Sequence, residues 1–453
     1  MADDAPQNPF LTGDYAPIRS EDDFALTVKG ELPQGLRGAL LRIGPNPQFP
    51  PRGAYHWFGG DGMVHAFYLA DGEARYRNRY VRTPRWRLEH QAGRALFGGF
   101  GGGGGDPSTA GVDAGVANTN VVRHAGKVMA LEEAHRPFEI TETLDSVGYL
   151  EAYRGPVTAH PKIDPATGEM IWFAYGSPRP LTGGMSYGVT AADGTVLRRQ
   201  DFQAPYAAMV HDFMVSQGHA LIPVLPLTAS LERAKAGGPA YAWEPEAGGW
   251  LGLVRRDYGA GSVRWLPVPS CYVFHAMNAW EADGKLVADV MRYDRAPLFP
   301  TVDGTPPGRA FARLTRWTID LAGGTDAVVE EPLDERAGEF PRIDERWATR
   351  ANRHGWFALD DDAGPSGVRH VDLETGRRQA YELPPGDIAS EPVFAARGPA
   401  EGEGWITTVV WRAAENRSDL LILEALDIEA GPVATVELPR RVPFGFHGQW
   451  LPQ

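Results

Sequence analysis

Cysteine, long apolar runs and helical periodicity are all scarce in this sequence, and each scarcity narrows the possibilities. Cys271 is the single cysteine of 453 residues, so no internal disulfide can form and a reducing compartment is favoured. We find no run of eighteen or more apolar residues, which argues against a membrane-spanning helix. The acidic start, Met1 to Pro6, lacks the basic and apolar parts of a signal peptide. We therefore expect a cytoplasmic protein.

Basic residues are also fewer than acidic residues. The chain has 44 lysines and arginines against 58 aspartates and glutamates, which gives a formal net charge of −14. Nucleic acids and anionic membranes are negatively charged, so a protein of this charge is not expected to bind either of them. The composition is otherwise that of a globular protein, and it gives no indication of an oligomeric state.

Turn residues, in contrast, are abundant. There are 54 glycines and 38 prolines, and Asp-Gly pairs such as Asp71-Gly72, Asp193-Gly194 and Asp283-Gly284 lie between β-rich segments. Aspartate followed by glycine favours tight hairpin turns. Only residues 84–96 and 226–235 show a helix-like pattern. Many hairpins without βαβ alternation predict an all-β protein, and a β-propeller of seven blades would use about 65 residues per blade.

We predict a single domain over residues 1–453. Residues 1–25 are expected to form an N-terminal strap, and residues 84–118 a glycine-rich loop region near the entrance of an active site. This region contains the run 98–105, in which seven of eight residues are glycine. The run lacks the Lys-Ser/Thr of a phosphate-binding loop, so we expect a mobile surface or entrance loop.

Four histidines lie in apolar segments: His160, His211, His275 and His447. Their wide spacing differs from the close pairs of helix-borne zinc sites, and a cysteine-containing zinc site is absent. Inner strands of different propeller blades would each supply one such ligand to a common axis. Imidazole binds Fe, Cu, Ni or Zn, so the ligand type alone does not select the metal. The spacing of the four histidines is also compatible with the alternative that they are ordinary buried core residues.

Several motifs resemble the carotenoid cleavage oxygenase superfamily over about Pro9 to Trp450. They are Arg42-Ile43-Gly44-Pro45-Asn46-Pro47, His56 to His65, Ala159-His160-Pro161, His211-Asp212-Phe213, Phe274 to Glu281, Ser390-Glu391-Pro392 and Phe446-His447-Gly448. The resemblance implies a seven-bladed β-propeller with a dome of loops and short helices over a central Fe(II). It also implies a dioxygenase that cleaves an alkene C=C bond with O₂ into two carbonyl products.

The same resemblance assigns roles to individual residues. It implies that His160, His211, His275 and His447 ligate Fe(II). It implies further that three glutamates accept hydrogen bonds from the outer nitrogens of three of these rings: Glu133 from His211, Glu339 from His275 and Glu391 from His447. Without the family, each of these carboxylates would more often be a surface residue.

Within the superfamily the likeness is to the bacterial lignostilbene- and isoeugenol-cleaving enzymes, so we expect a stilbene or phenylpropene-type aryl alkene as substrate. Those enzymes hold a ring hydroxyl with a lysine and a tyrosine, where this chain has Glu132 and Phe100. A carboxylate does not stabilise a phenolate, but it accepts a hydrogen bond from a neutral phenol. Alternatively, Glu132 points elsewhere and the substrate has no such hydroxyl. Phe58 is expected to form a wall of the substrate pocket.

Two other functions stay open. The same iron site would suit cleavage of an apocarotenoid or another polyene. A propeller that binds a ligand without catalysis is the second alternative, although the presence of all four histidines and all three glutamates argues against it. A calcium-dependent propeller would require Asp, Asn and Glu ligands instead of histidines.

Overall fold

The structure is a computed structural model that describes residues 8–100, 104–362 and 364–453. In these ranges the chain is almost entirely β-sheet, with two α-helices, α1 (Pro84–Ala92) and α2 (Leu231–Lys235). The chain begins with short 3₁₀ turns at Pro9–Leu11 and Gly13–Tyr15. Neither helix, nor any other helix of the described residues, is long and apolar enough to cross a membrane.

Three sheets of four antiparallel strands occupy the first part of the chain, after the N-terminal strands. The N-terminal strands are β1 (Asp23–Gly30), β2 (Gly38–Pro45), β3 (Gly62–Ala70) and β4 (Glu73–Tyr80). The first sheet contains β5 (Asn120–His124), β6 (Lys127–Leu131), β7 (Phe138–Ile140) and β8 (Ser146–Tyr149). The second contains β9 (Lys162–Ile163), β10 (Met170–Tyr175), β11 (Gly184–Thr190) and β12 (Val196–Gln203).

The third sheet is interrupted by an inserted hairpin. Its region contains β13 (Met214–Val215), β14 (His219–Val224), β15 (Leu227–Ala229), β16 (Tyr241–Trp243), β17 (Gly249–Arg255) and β18 (Arg264–Val268). The sheet itself has the order β13-β14-β17-β18, while β15 and β16 pair separately with each other.

The rest of the chain forms two larger sheets. A seven-stranded sheet contains β19 (Tyr272–Ala282), β20 (Lys285–Tyr293), β21 (Arg313–Asp320), β22 (Val328–Ile343), β23 (His354–Asp361), β24 (Gly364–Asp372) and β25 (Arg378–Glu382). A ten-stranded sheet joins β1 to β4 with β26 (Ile388–Ala389), β27 (Val393–Ala396), β28 (Gly404–Arg412), β29 (Arg417–Glu424), β30 (Pro432–Leu438) and β31 (Gly448–Pro452).

Each of the larger sheets consists of two blades that share one strand. In β22, residues 328–337 pair with β21 and residues 338–343 pair with β23. In β1, residues 23–26 pair with β4 and residues 27–30 pair with β30. Together with the three smaller sheets this gives seven blades, and the predicted seven-bladed propeller is confirmed.

The ring of blades is closed by pairing the two ends of the chain. The C-terminal strand β31 lies beside β2, with Leu40 opposite Trp450. Apolar side chains then pack between neighbouring blades: one buried cluster joins Phe67 and Tyr76 of β3 and β4 to Leu420 and Val436 of β29 and β30. Burial of this apolar surface favours the closed ring. The closure also places His447 at the start of β31.

The predicted hairpins are confirmed. Asp71-Gly72 joins β3 to β4 and Asp283-Gly284 joins β19 to β20, and all four residues have positive φ. Such a turn requires φ values that aspartate tolerates and glycine adopts freely. The third pair, 193–194, connects β11 and β12.

Both helix predictions were too long. Helix α1 ends at Ala92 instead of residue 96 because Gly93 has φ +67° and its N–H caps the carbonyls of the last turn. The second helix starts at Leu231 instead of residue 226. Residues 227–229 pair instead with β16, and the Ser230 hydroxyl then caps the helix by accepting from the Arg233 N–H.

Two predicted segments are only partly described. Residues 1–7 of the strap and residues 101–103 of the glycine run lie outside the described residues. The division into a strap and an entrance loop stays a prediction.

Candidate metal centre

Four histidines meet at the centre of the ring because each lies at or near the innermost strand of a different blade. His160 and His211 shortly precede β9 and β13, His275 lies within β19, and His447 directly precedes β31. These four strands are at the inner edges of their sheets, so one residue from each reaches the axis. All four side chains are buried.

The imidazole nitrogens face a common point. Nε2 of His160 lies 3.1 Å from Nε2 of His211, which lies 3.2 Å from Nε2 of His275. One ligand nitrogen from each of the four rings lies within 4.8 Å of the others. Nitrogens bound at right angles around a metal, with bonds of about 2.1 Å, would be roughly 3 Å apart. The geometry therefore fits a metal ion held by four imidazoles.

Carboxylates fix three of the rings from outside. Glu133 contacts Nδ1 of His211, a Glu339 oxygen lies 2.5 Å from Nδ1 of His275, and a Glu391 oxygen lies 2.9 Å from Nδ1 of His447; all three contacts are buried or partly buried. A carboxylate that accepts the Nδ1–H leaves the Nε2 lone pair free to bind a metal. Without a cation at the centre, these converging lone pairs would repel one another. This donor set is the second argument for a metal.

Electrostatics agrees with neutral ligands at two positions. Burial lowers the pKa of His160 well below its ordinary value, and burial lowers the pKa of His447 to about 4 although Glu391 opposes the shift. Both rings are therefore neutral at pH 7, which is the form that binds metal. Burial also acts to lower the pKa of His275, but the carboxylates of Glu339, Asp212 and Glu391 together more than offset it and the pKa is raised.

The contact between Glu339 and His275 depends on an irregularity in β22. In a regular strand, neighbouring side chains point to opposite faces. Here Phe340 has φ +56°, and the pairing register shifts between residues 339 and 342. As a result the Glu339 carboxylate reaches His275 while the Phe340 ring stacks on the same imidazole, with ring centres 5.3 Å apart. A left-handed φ at a bulky residue is costly and is characteristic of functional sites.

The carboxylates are themselves supported by further side chains. The Tyr175 phenol donates a hydrogen bond to Glu133. A guanidinium nitrogen of Arg342 lies 3.2 Å from Glu391, which also accepts from the Gly448 N–H at 2.7 Å. Burial would raise the pKa of Glu391, but Arg342 and His447 lower it to about 2. The sequence motif around Arg342 assigns no role to the arginine, and no sequence signal points to Tyr175.

A large cavity lies on one side of the histidines. It has a volume of about 630 Å³, and His211, His275 and His447 form its floor. Aromatic side chains dominate the nearby walls, including Phe274, which packs edge-on against His211 with ring centres 5.2 Å apart. An alkene held in this cavity would lie in apolar surroundings beside the histidines.

A smaller and more polar channel lies on the opposite side. It has a volume of about 120 Å³ and is lined by His160, His275 and His447 together with charged side chains. Among these are Lys162, Asp212, Arg342, Glu345 and Glu391. Arg309, Glu339 and Asp360 also border the large cavity. The histidines therefore lie between a mainly aromatic cavity and a smaller channel lined by ion pairs.

The structure brings together some of the predicted pocket residues. Phe58 lines the large cavity, as the sequence predicts for a wall residue. Phe100 packs against the edge of Phe58 at 5.6 Å and stacks on His56 at 5.1 Å, so it contacts the cavity wall from behind. The structure does not bring Glu132 there. Its carboxylate accepts from the Val116 N–H at 2.8 Å and lies 2.9 Å from Nδ1 of His135.

Comparison with known proteins identifies the family to which this chain belongs. The model of the retinal pigment epithelial membrane protein family matches residues 15–452. An isoeugenol monooxygenase of Pseudomonas nitroreducens is 38% identical over 98% of each chain. The chain belongs to this family, which includes the carotenoid cleavage oxygenases, and the resemblance noted in the sequence is confirmed.

Solved structures show the same relationship. The crystal structure of a lignostilbene dioxygenase of Pseudomonas brassicacearum has 35% identity and a TM-score of 0.94, with 99% of each chain covered. A cobalt-substituted apocarotenoid oxygenase of Synechocystis has 28% identity and a TM-score of 0.83, with 96% of this chain and 97% of that chain covered. Cobalt substitution in this relative indicates that a protein of the same fold binds a metal ion.

Proposed function

We propose that this protein is a non-haem Fe(II) dioxygenase that cleaves the C=C bond of an aryl alkene with O₂. The observation that carries the proposal is the meeting of four buried imidazoles at the floor of an aromatic cavity. Both oxygen atoms enter the products, so one alkene and one O₂ give two carbonyl compounds and no further reductant is required. The relatives named above as isoeugenol monooxygenase and lignostilbene dioxygenase support this reaction class.

His160, His211, His275 and His447 would hold the metal, and Glu133, Glu339 and Glu391 would orient three of the rings. Imidazole ligands are compatible with several divalent metals, and we propose Fe(II) because O₂ chemistry requires a redox-active ion. Fe(II) bound there would supply the one-electron chemistry with which O₂ is activated. A metal with four neutral ligands keeps its full positive charge, so nearby carboxylates without a cationic partner among the described residues, such as Glu133 and Glu339, also stabilise it electrostatically.

The other contributions come from the walls of the cavity. Phe58, Phe274 and Phe446 present apolar surface beside the histidines, which would hold an alkene near the metal and exclude water. Holding the two reactants in this geometry is a large part of what a protein contributes to such a reaction. No nicotinamide, flavin or 2-oxoglutarate takes part in the proposed reaction.

A stilbene or phenylpropene-type alkene is the proposed substrate. The usual phenol-binding pair of the similar enzymes is replaced here by Glu132 and Phe100, and Glu132 is already engaged with His135 and the Val116 N–H. These contacts favour the alternative in which Glu132 does not hold a ring hydroxyl. We therefore expect a 4-hydroxyl group to be dispensable for cleavage.

A substrate panel tests the proposal. Iron-loaded protein would be given stilbenes with and without a 4-hydroxyl, isoeugenol-like phenylpropenes and apocarotenals, and O₂ uptake and new aldehydes would be measured. Aldehydes from an aryl alkene are expected. Cleavage of apocarotenals alone would favour the polyene alternative, and iron-loaded protein that cleaves no alkene would favour a propeller that only binds its ligand.

We also propose a cytoplasmic location, which the single cysteine supports because a reduced thiol persists in a reducing compartment. The expected partners are a small hydrophobic alkene and O₂.

A further inference from the structure

Four carboxylates lie against the histidine cluster, and they fall into two kinds. Glu133, Glu339 and Glu391 contact the outer nitrogens of three histidines. The fourth is Asp212, which follows His211 in the chain, accepts from the Ala276 N–H at 2.9 Å and interacts electrostatically with His275. All four are buried or largely buried, so their charges are weakly screened by solvent.

Two of these carboxylates have a cationic partner. Arg342 lies 3.2 Å from Glu391, with 14% of the arginine side chain and 3% of the glutamate side chain exposed. Lys162 lies 2.7 Å from Asp212, with side-chain exposures of 26% and 2%. Both pairs line the charged channel on the side of the histidines that faces away from the large cavity.

The other two carboxylates have neutral support. Tyr175 donates a hydrogen bond to Glu133. Tyr293 interacts with Glu339; burial and then the Glu339 carboxylate raise the pKa of this phenol well above its ordinary value. Over residues 8–100, 104–362 and 364–453, neither Glu133 nor Glu339 forms an ion pair with a lysine or an arginine.

Counted together with their cationic partners, the four carboxylates around the cluster therefore sum to two negative charges. Glu391 and Asp212 are each cancelled by their cation, and Glu133 and Glu339 are not. Arg42 is also buried near Glu391, but its interaction is divided between Glu391 and Asp14 and it forms no ion pair with the glutamate. Arg342 also lies 2.9 Å from Glu345, but 61% of the Glu345 side chain is exposed, so solvent screens that charge and it is left out of the sum. Four neutral imidazoles add no charge. Two negative charges balance a divalent ion and leave a trivalent ion with one excess positive charge.

We propose that Arg342 and Lys162 tune the metal centre by cancelling two of its four nearby negative charges, and so favour the divalent over the trivalent state. The inference rests on the iron assigned under the proposed function. Neither residue lines the large cavity or pairs with an imidazole nitrogen. Arg342 acts through Glu391, and Lys162 acts through Asp212 and through its electrostatic interaction with His160. Removal of either cation would add one net negative charge in a weakly screened environment and stabilise Fe(III) relative to Fe(II).

The test is a redox titration of purified, iron-loaded Arg342→Met and Lys162→Met variants, followed through the electron paramagnetic resonance signal of Fe(III). At a fixed potential, the ratio of Fe(III) to Fe(II) should increase about tenfold in each variant, which corresponds to a potential lower by about 59 mV for a one-electron couple. The iron content of each sample is measured separately, so the result does not depend on enzyme activity.

Three further variants separate charge from structure. Arg342→Lys keeps the charge and should have a potential near that of the parent. The double variant Arg342→Met/Glu391→Gln removes both charges of the pair and should return towards the parent value. Arg369→Met is the matched control: Arg369 lies 2.9 Å from Asp334, its pair has similar exposures of 15% and 2%, and it contacts none of the four histidines. Its potential should not change.

The outcomes are distinguishable. A parent protein that binds no iron would contradict the proposed function and remove the basis for this inference. Iron-loaded Arg342→Met and Lys162→Met with the parent potential would overturn the inference and leave the proposed function intact. Equal potentials for Arg342→Met and the double variant would also overturn it, because charge would then not be the cause. If Arg342→Met does not fold, the more exposed Lys162→Met alone decides between these results.

Discussion

On one side of the four histidines the cavity walls are mainly aromatic, although Arg309, Glu339 and Asp360 also border the cavity. On the other side, two ion pairs lie beside the histidines. The large cavity contains Phe58, Phe274 and Phe446, whereas the channel contains Lys162 and Arg342 with their carboxylate partners. The same imidazoles form the boundary between them. We infer a division of labour in which the aromatic side holds the alkene and the charged side sets the properties of the metal. Variants on the two sides should therefore fail in different ways.

The largest effect is expected when one of the four histidines between the two sides is replaced. His211→Ala removes one of the four proposed metal ligands and leaves Glu133 without its histidine partner. Iron content and alkene cleavage should both be lost, as measured by elemental analysis and aldehyde formation. The control is His219→Ala in the same blade, because His219 pairs with Glu281 and belongs to no metal-binding group among the described residues. Full activity of His211→Ala would refute the ligand assignment.

A smaller effect is expected for the glutamates that contact the outer nitrogens of the histidines. Glu133→Gln weakens the hydrogen bond that orients His211, and loss of such a contact reduces metal affinity by about 10–100-fold. Competition with a chelator would measure this affinity. Glu132→Gln is the adjacent control, since Glu132 contacts His135 and the Val116 N–H instead. Equal losses of affinity in the two variants would mean that the hydrogen bond to His211 is not responsible.

On the aromatic side, the metal should be unaffected. Phe58→Ala removes part of the cavity wall, and loss of an aromatic contact of roughly 1–2 kcal/mol would reduce kcat/KM by about tenfold. Steady-state kinetics on an aryl alkene and an iron determination on the same sample would test this. Iron loss in this variant would contradict the separation of the two sides.

The smallest effect concerns a partly buried ion pair, His135 with Glu132, that lines neither the cavity nor the channel. Burial lowers the pKa of His135, but Glu132 and Asp113 raise it to about 9, above the ordinary value of 6.5. Because the folded-state pKa is raised, the pair stabilises the protein fully below about pH 6.5 and loses this contribution as the pH rises through about 9. The Tm difference between the parent and Glu132→Gln should be largest near pH 6 and shrink towards pH 9. A difference that is constant over this range would contradict the assignment.

Sequence predicted the chemistry of the centre better than its surroundings. The histidines proposed as metal ligands and their glutamates lie in short motifs that resemble a known family, so roles for His160 and Glu391 could be proposed before any geometry was known. Hairpins were predictable for a similar reason, since Asp-Gly turns have local backbone requirements. The start of α2 was not, because the pairing of residues 227–229 with β16 is a tertiary interaction that overrides local pattern. The end of α1 depends instead on the local cap at Gly93, which the sequence pattern did not identify.

Supporting contacts between distant parts of the chain could not be found from sequence. The Arg342 side chain meets Glu391, and Tyr175 meets Glu133, only after neighbouring blades have packed side by side. Sequence also could not predict the contacts of Glu132, which was expected in the substrate pocket because of its position beside Glu133. The structure turns its carboxylate towards His135, a contact that depends on the conformation of the loop between them.

The central claim is that the four buried imidazoles bind one Fe(II). Its most direct test is an anaerobic titration of metal-free protein with Fe(II), with bound iron measured after removal of the excess. We predict saturation at one iron per chain in the parent and no tight binding in His211→Ala. A parent protein that takes up no iron, or a variant that binds as tightly as the parent, would contradict it.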